Sequence, residues 1–246
     1  MSMRSKVPCA LTIAGSDSGG GAGIQADLKT FAALGVHGMS AITAITVQNT
    51  VSVTAVHAIP PEIVRKQIEA VATDIGVDAA KTGMLYSSEI IEVVVEEVKK
   101  YGFPLVVDPV MVAKSGAPLL REDARKVLID ELIPLATVVT PNAMEAQEIT
   151  NTKIRSAEDA KVAAKKIVDL GAKAAVVKGG HIVEGGKVID VLYCDGEYYY
   201  FEGERIETKT THGTGCSFAA AIAAELAKGK KIPEAIKVAK EVVTMG

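Results

Sequence analysis

The sequence predicts an α/β fold with a mostly parallel central sheet, helices on both faces and small antiparallel additions. Along nearly all of the 246 residues, short runs rich in β-branched residues alternate with segments whose apolar residues recur at helical spacing. Such alternation is typical of strand–helix–strand units, whose strands are parallel and covered by helices on both faces. Two further pairs of strand-like runs, at 39–59 and 188–201, are too closely spaced for a crossover helix, so we expect them to be antiparallel.

The first half of the chain has five predicted strands, at 9–14, 39–47, 52–59, 79–82 and 105–108. The helices predicted here cover 23–34, 61–75, 88–102 and about 122–133. Pro61 suits the first position of its helix, and Ser88 caps the next one. Gly35 and Gly102 end the helices that precede them, because glycine readily adopts the left-handed conformation that closes a helix.

The second half continues the alternation, with predicted strands at 137–140, 174–178, 188–194 and 197–201. Ser156 begins a capping-box pattern, and the helix that it opens ends at Gly171. Asp195-Gly196 lies between the last two strands and is a strong hairpin signal. One helix follows the glycine-rich turn at 213–216, and a final helix begins near Pro233.

The composition suits one large domain, which we place at 1–246. The formal net charge is −3 and no basic run occurs, so we expect no nucleic-acid partner. No apolar run approaches the roughly 18 residues that a membrane span needs, and the first residues show no secretory signal. Three widely separated cysteines favour a reducing compartment over disulfides or a zinc site, so we expect a cytoplasmic location.

The most informative segment is 210–220, which reads Thr-Thr-His-Gly-Thr-Gly-Cys-Ser-Phe-Ala-Ala. Gly213 and Gly215 precede a strong helix pattern, so outward backbone N–H groups and the helix dipole predict an anion site there. Cys216 would lie in the first helical turn, where a positive field lowers a thiol pKa and favours the thiolate. The alternative is a glycine-rich connection before a buried helix, with Cys216 as a small core residue.

Polar, charged and glycine residues follow the carboxyl ends of most predicted strands. These residues are Gly15, Gln48, Gly83-Met84, Asp108-Pro109, Thr140-Pro141-Asn142 and Lys178-Gly179-Gly180. In open sheets of parallel strands, ligands bind outside these ends. We therefore predict that the functional site lies along this edge.

The loop after the first strand contains a G-x-G-x-x-A match at 21–26, but we do not read it as a dinucleotide site. The loop is too long, and the next strand ends at Gln48 and not at an acidic residue. The carboxamide of Gln48 either reads a heteroaromatic edge or bonds local backbone. Asp27 either compensates the helix dipole at the surface or faces a ligand. Met84 and Val110 belong either to the core or to an apolar pocket wall.

Asp108, Asn142 and Glu145 bring three oxygen-bearing side chains near neighbouring strand ends. Such groups suit Mg²⁺, which binds oxygen and bridges substrate phosphates. Lys178 follows a buried strand and precedes two glycines, so it is placed to neutralise a phosphate. The chain lacks the G-x-x-x-x-G-K-[ST] motif, so any ATP site is not a P-loop.

Taken together, these segments resemble the hydroxymethylpyrimidine and hydroxymethylpyrimidine-phosphate kinases of thiamine biosynthesis, in the ribokinase-like superfamily. The resemblance spans essentially the whole chain and rests on motifs at 10–31, 81–85, 107–111, 113–116, 140–142, 178–181 and 211–216. It implies a ribokinase-like fold, a small-molecule pyrimidine substrate, and ATP with Mg²⁺.

The resemblance also implies roles for particular residues. The anion hole for the transferred phosphoryl group would be Gly213, Thr214, Gly215 and Cys216. Cys216 occupies the position where most ribokinase-like relatives carry an aspartate base and where this subfamily carries cysteine. The positions that match the substrate pocket are Gly15, Asp27, Gln48, Met84 and Val110. On the nucleotide side, Asn142 and Lys178 would bind ATP, and Asp108 and Glu145 would hold the metal.

The resemblance leaves several alternatives open. A pyridoxal-type kinase of the same superfamily is the closest one, because its substrate ring is similar. A non-catalytic ligand-binding module with the same fold is the alternative from a different class. Relatives usually continue into a glycine-rich tail, whereas this sequence stops at Gly246, so we expect either a truncated chain or one part of a longer fusion. A homodimer and a fused C-terminal domain are both compatible with the sequence.

Overall fold

The computed structural model describes residues 7–113, 116–180, 183–184, 187–204 and 213–245. In this part of the chain the strands form one sheet in the order β10-β9-β7-β6-β5-β4-β1-β2-β3, with β8 paired to β9. The strands are β1 (Cys9–Asp17), β2 (His37–Gln48), β3 (Val53–Ala58), β4 (Ala79–Thr82), β5 (Leu105–Val107), β6 (Val138–Val139), β7 (Ala174–Val177), β8 (Val183–Glu184), β9 (Lys187–Cys194) and β10 (Glu197–Glu204).

The sheet has a parallel centre with antiparallel strands at both edges. Strands β2, β1, β4, β5, β6 and β7 run parallel to one another. Strand β3 is antiparallel to β2, and β9 is antiparallel to β7, β8 and β10. The predicted fold class is confirmed, including the two antiparallel additions.

Helices cover both faces of this sheet. They are α1 (Gly23–Ala33), α2 (Pro61–Asp74), α3 (Ser88–Tyr101), α4 (Glu122–Val127), α5 (Ala143–Thr150), α6 (Ala157–Asp169), α7 (Thr214–Ala227) and α8 (Ile232–Met245). Alternation along the strands separates two cores: Leu105 and Val107 pack against the layer that contains α2 to α6, whereas Val106 packs against α1, α7 and α8. Because every central strand is covered on both faces, the strand ends are where polar groups reach solvent most readily.

The first strand is longer than its apolar run predicts. Its register with β2 shifts between Ala14 and Ser16, and pairing then continues through Asp17 opposite Thr46. This irregularity at Gly15 carries polar residues of the glycine-rich loop into the sheet, where an apolar pattern cannot reveal them. The strand therefore places Ser16 and Asp17 at the edge where the sequence predicts the functional site.

The helical predictions need three corrections. Ser88 is the first residue of α3 and not its cap, because the N-cap is Ser87. The segment predicted at 122–133 is not one α-helix, because α4 ends at Val127 and is followed by a π-helical turn, Leu128–Leu132, and a 3₁₀ turn, Ile133–Leu135. Pro134 lacks the N–H that an α-helical bond would need there. Helix α5 was not predicted at all, although Asn142 and Glu145 form a complete capping box at its start.

None of the helices in the described residues combines the length and the apolar composition needed to cross a bilayer.

Candidate functional site

A cleft opens at the carboxyl ends of β1, β2 and β4. Its walls are formed by Ala14, Gly15, Ser16, Asp17, Ala22, Gly23, Thr46, Gln48, Lys81, Gly83, Met84, Val110, Leu119 and Cys216. Five residues that the sequence singles out therefore meet here, namely Gly15, Gln48, Met84, Val110 and Cys216. Five distant segments of the chain converge on this space, as expected where neighbouring parallel strands end.

One wall of the cleft combines a carboxamide with apolar groups. Gln48 Oε1 accepts a hydrogen bond from Thr46 Oγ1 at 3.0 Å, which orients the carboxamide. Met84 is buried, and its carbonyl accepts a hydrogen bond from the Thr43 hydroxyl at 2.6 Å. A Cβ atom at Gly15 would lie only 3.1 Å from the sulfur of Met84. Gly15 thus leaves room beside Met84 for a flat group in the cleft.

The glycine-rich loop after β1 is shaped by Asp17, which the sequence did not single out. Its buried carboxylate accepts hydrogen bonds from the backbone N–H groups of Gly19, Gly21 and Ala22, at 2.8, 3.1 and 2.8 Å. The Asp-Ser-Gly order is a turn signal that could have indicated this role, since aspartate readily bonds backbone N–H groups that follow it. The Asp17 carboxylate thus binds the N–H groups of this loop, whereas a dinucleotide-binding turn offers such groups to a phosphate.

The glycine turn that begins α7 packs directly on this loop. Gly213 is the N-cap and has a φ of 85°, a left-handed conformation. Any side chain at Gly213 would overlap the carbonyl oxygen of Gly21, so glycine is required both for conformation and for space. The helix therefore starts at the edge of the cleft, with Cys216 in its first turn. First-turn N–H groups have no acceptor within their own helix and can bind an anion.

The Cys216 thiol lies beside several charged groups. Burial raises its pKa to about 11, and the carboxylates of Asp27 and Asp108 add to that rise. The ammonium of Lys81 and the backbone N–H of Gly23 act in the opposite direction. The predicted lowering of this pKa is wrong, because desolvation and two carboxylates outweigh the favourable field of the helix start. The resting site holds a thiol.

Lys81 and Asp27 form a buried ion pair behind Cys216. Both side chains are fully buried, and Lys81 Nζ lies 2.9 Å from Asp27 Oδ2. Thr12 Oγ1 donates a further hydrogen bond to the same oxygen at 2.6 Å. Burial alone would lower the pKa of Lys81, but the Asp27 carboxylate and neighbouring acidic groups raise it above its ordinary value. Lys81 therefore lines the cleft as a cation.

Asp27 itself is not in the cleft wall. The surface interpretation of this residue is wrong, because its side chain has no exposed area and both oxygens contact Lys81. Lys81 is the residue that faces the cleft, and sequence reasoning assigned it no role. A lysine in the middle of a fully buried four-residue strand was the signal that could have identified it, since lysine is rarely buried without a partner.

A second charged pair adjoins the α7 start. Lys178 Nζ donates to Asp108 Oδ1 at 3.1 Å, and Thr140 Oγ1 contacts the same oxygen at 3.2 Å. Burial would lower the pKa of Lys178, but the carboxylates of Asp108 and Glu145 raise it. A Cβ atom at Gly215 would lie 3.4 Å from Lys178 Nζ and 3.9 Å from Asp108 Oδ2. The α7 start therefore adjoins this lysine–carboxylate pair at Gly215 and lines the cleft at Cys216.

Asn142 and Glu145 are already engaged with each other. Glu145 Oε2 accepts the Asn142 backbone N–H at 2.8 Å, and Asn142 Oδ1 accepts the Glu145 N–H at 2.9 Å. Burial raises the pKa of Glu145 to about 7, Lys178 acts against this, and Asp108 adds to it. Asn142 also forms a β-bridge with Lys178. Both residues adjoin the charged pair, and their side chains serve as the cap of α5.

The side chains near Asp108 suit a metal ion that is coordinated mostly by water and substrate phosphates. Within the described ranges, no group of three or more histidine, cysteine or acidic side chains could enclose a metal ion. Mg²⁺ usually keeps several waters and uses one or two carboxylates plus substrate phosphates. The buried carboxylate of Asp108, with Glu145 nearby, fits that mode. The motif residues at 114–115, 181 and 210–212 lie outside the described residues.

Comparison with known proteins points to one family. The model of the family described as phosphomethylpyrimidine kinase matches residues 17–246. A hydroxymethylpyrimidine/phosphomethylpyrimidine kinase of Bacillus subtilis (strain 168) is 50% identical over 235 residues, which are 95% of this chain and 87% of the relative. The chain covers most of that relative, so the similarity is not confined to a shared motif.

Two solved structures have the same fold at high identity. A phosphomethylpyrimidine kinase from Clostridium difficile 630 has a TM-score of 0.85 and 47% identity, covering 96% of this chain and 98% of its own. An ADP complex of a Bacillus subtilis pyridoxal kinase has a TM-score of 0.88 and 44% identity, covering 96% and 90%. Overall similarity alone therefore does not distinguish the substrate of a phosphomethylpyrimidine kinase from that of a pyridoxal kinase.

Proposed function

This chain belongs to the phosphomethylpyrimidine kinase family, and from that premise we propose that it phosphorylates 4-amino-5-hydroxymethyl-2-methylpyrimidine and then its monophosphate, using ATP, in thiamine diphosphate biosynthesis. The chain is accordingly a phosphotransferase. Phosphoryl transfer depends mainly on positioning and on neutralising charge, and needs little covalent help from the protein. The arrangement around the start of α7 supports this kind of chemistry.

The observation that carries the proposal is that two neighbouring residues in the first turn of α7 adjoin different groups. Cys216 lines the cleft together with Gln48 and Met84. Gly215 adjoins Lys178 and Asp108. An acceptor alcohol in the cleft and a phosphate beside Lys178 would therefore meet at the first-turn N–H groups. Preorganised donors at that point stabilise charge that develops during transfer.

The nucleotide side is proposed to hold Mg-ATP. Lys178 would contact the phosphates as a cation, with Asn142 beside it. Asp108 would bind Mg²⁺, with Glu145 as a neighbouring carboxylate. When bound, Mg²⁺ bridges phosphate oxygens and neutralises their charge. Gly215 brings the backbone beside Lys178, since a Cβ atom there would already lie 3.4 Å from its Nζ atom.

In the cleft, Gln48 would bind the polar edge of the pyrimidine, and Gly15, Met84 and Val110 would contact its ring. Cys216 would receive or orient the hydroxyl hydrogen. Lys81 would supply positive charge next to the thiol while Asp27 holds it in place. The second acceptor is a phosphate monoester and carries its own negative charge, which the amides of the helix start and Lys178 can balance.

With excess Mg-ATP and the pyrimidine alcohol, we expect the monophosphate to rise and then fall as the diphosphate appears. One site is expected to perform both steps, because the sequence has only one such glycine turn and only one Lys-Gly-Gly strand end. Chromatography of timed samples resolves the three species. Monophosphate without diphosphate would contradict the two-step activity, and no product from ATP would favour a non-catalytic binding module.

The pyridoxal-type alternative rests on the 44% identity to a pyridoxal kinase. The kcat/KM values of the two alcohols, measured on the same enzyme preparation, distinguish the functions. We expect the pyrimidine alcohol to have the higher value. A cytoplasmic location and a homodimer stay predictions of the sequence.

Replacing Gln48 with alanine should raise KM for the pyrimidine alcohol and leave KM for ATP unchanged. The loss of a polar partner for the ring should cost about 1–3 kcal/mol, which is roughly a 5- to 150-fold weaker interaction. Val47→Ala is the matched control. Val47 precedes Gln48 in the chain, and its side chain is 56% exposed and does not line the cleft. Equal changes for both substrates, or none, would remove Gln48 from the substrate site.

A further inference from the structure

The turn that carries Lys178 is fixed by groups on both of its sides. Before Gly179, the Lys178 backbone N–H donates to the Pro141 carbonyl at 2.8 Å. Gly179 itself donates its backbone N–H to Asp190 Oδ1 at 2.7 Å, in a buried hydrogen bond. Gly179 has no room for a side chain, because a Cβ atom would overlap the Ile189 carbonyl. The backbone on which Lys178 is mounted thus packs tightly against β9.

The Asp190 carboxylate is held in turn by the last helix. Its second oxygen, Oδ2, lies 2.7 Å from the Nζ atom of Lys240 on α8. The side chain of Asp190 is only 7% exposed, and that of Lys240 is 16% exposed. A buried carboxylate is tolerated when both of its oxygens have charged or N–H partners, as they do here. The chain Lys240–Asp190–Gly179 therefore connects α8 to the residue next to Lys178.

We propose that Asp190, held by Lys240, is a positioning residue that sets the location of the Lys178 ammonium on the nucleotide side of the site. This inference rests on the function proposed above. Asp190 touches no reacting atom in this role. It acts on the backbone one residue away, and a small displacement of a positioning group is enough to weaken phosphate contacts strongly. Helix α8, which contributes nothing to the cleft wall, would thereby influence how the nucleotide is bound.

Asp190→Ala removes the acceptor of the Gly179 N–H and the partner of Lys240 together. We expect KM for ATP to rise by about tenfold or more, with KM for the pyrimidine alcohol unchanged within error. Asp190→Asn should recover most of the loss, because its side-chain carbonyl can still accept the Gly179 N–H. Lys240→Met should have an intermediate effect, because the carboxylate stays but loses its support.

Glu225→Gln is the matched control. Glu225 is another buried carboxylate, 1% exposed, and pairs with Lys228 and Lys230 at the far end of α7. Its replacement should lower stability without changing KM for ATP. The positioning role would be overturned if KM for ATP rose equally in Glu225→Gln, or if it were unchanged in Asp190→Ala. If Asp190→Ala does not fold, Asp190→Asn and Lys240→Met decide by the same comparison.

Calorimetry with AMP-PCP separates this inference from the proposed activity. Its Kd is expected to rise in the order parent, Asp190→Asn, Lys240→Met, Asp190→Ala. A parent protein that binds AMP-PCP but forms no phosphorylated product would contradict the kinase activity, and the order of Kd values would still support or overturn the role of Asp190. Equal Kd values in all four proteins would overturn it.

Discussion

Replacing Cys216 with alanine is expected to lower kcat for the pyrimidine alcohol by roughly 10²–10⁴-fold, the range typical of a lost general base. The side chain lies in the first turn of α7 and lines the cleft, where the acceptor hydroxyl would be. The change should leave folding nearly intact, because the residue is partly exposed and small. The second phosphorylation should suffer less than the first, because a monophosphate acceptor is already ionised.

Cys194→Ala is the matched control for this change. Cys194 is also a thiol whose pKa burial raises to about 11, with Asp195 adding to the rise, and it lies in β9 away from the cleft. Its replacement should leave kcat unchanged. A Cys216→Ala enzyme with kcat within a few-fold of the parent would make the thiol a packing residue.

The pH dependence tests the same role. An acid with a pKa of about 11 is protonated at neutral pH, and its thiolate fraction rises about tenfold per pH unit below that value. If the thiolate is the base, log(kcat/KM) should increase steadily between about pH 6 and 9. Cys216→Ala should lose that slope. A slope that persists in the variant would belong to another group, and a flat profile in the parent would leave the thiol only an orienting role.

Replacing Lys81 with methionine is expected to lower the free energy of unfolding by about 3–5 kcal/mol, because it leaves the Asp27 carboxylate buried without its cation. Both side chains are fully buried, at a distance of 2.9 Å. The double variant Lys81→Met with Asp27→Asn should recover part of the loss, since the buried charge is then gone. Urea unfolding followed by circular dichroism measures all three proteins.

The pH range of this effect follows from the direction of the shift. The pKa of Lys81 is raised above its ordinary value of 10.5. A raised lysine pKa stabilises the fold fully below the unfolded pKa, and the contribution is lost as pH rises through the folded pKa. The Lys81 contribution itself is therefore constant between about pH 6 and 9. Burial also raises the pKa of Asp27 and Lys81 acts against that rise, so Lys81→Met raises the Asp27 pKa further. The loss in Lys81→Met should therefore grow as pH rises from about 6 to 9, because the unfolded Asp27 is already ionised there.

Lys165→Met is the control for removing a lysine from an ion pair. Its pair with Asp169 is at the surface, with side chains 50% and 57% exposed, and should contribute only about 0–1 kcal/mol. A loss in Lys81→Met as small as in this control would mean that Asp27 is uncharged in the folded protein. The proposed cationic role of Lys81 in the cleft would then fail.

Most of the secondary structure could be predicted from local patterns. A helix or strand that is buried on one face repeats its apolar residues at its own characteristic spacing. The hairpin at Asp195-Gly196 and the helix ends at Gly102 and Gly171 were readable from a few neighbouring residues. Where a local pattern was ambiguous, the prediction failed. Asn142 and Glu145 have a spacing that suits both a capping box and a pair of ligand groups, and only the ligand interpretation was considered.

The edge on which the site lies was also predictable, because parallel strands place their carboxyl ends together whatever their order in the sheet. Gln48, Asp108 and Lys178 could thus be assigned to one edge without knowing their distances. Lys81 could not be assigned a role, because its partner Asp27 is 54 residues away and the ion pair exists only after β4 and α1 have packed. The anchoring of Gly179 by Asp190 likewise depends on the pairing of β9 with β7.

The sign of the Cys216 pKa shift shows the same division most clearly. The sequence predicts a lowered thiol pKa because Cys216 is at a helix start, and the helix dipole is a local property of the backbone. The rise to about 11 comes from desolvation and from Asp27 and Asp108, which distant segments bring to the same place. Local sequence thus determined which groups stand at the strand and helix ends. Tertiary packing decided their charge states, because burial and the sum of distant charges exist only in the folded chain.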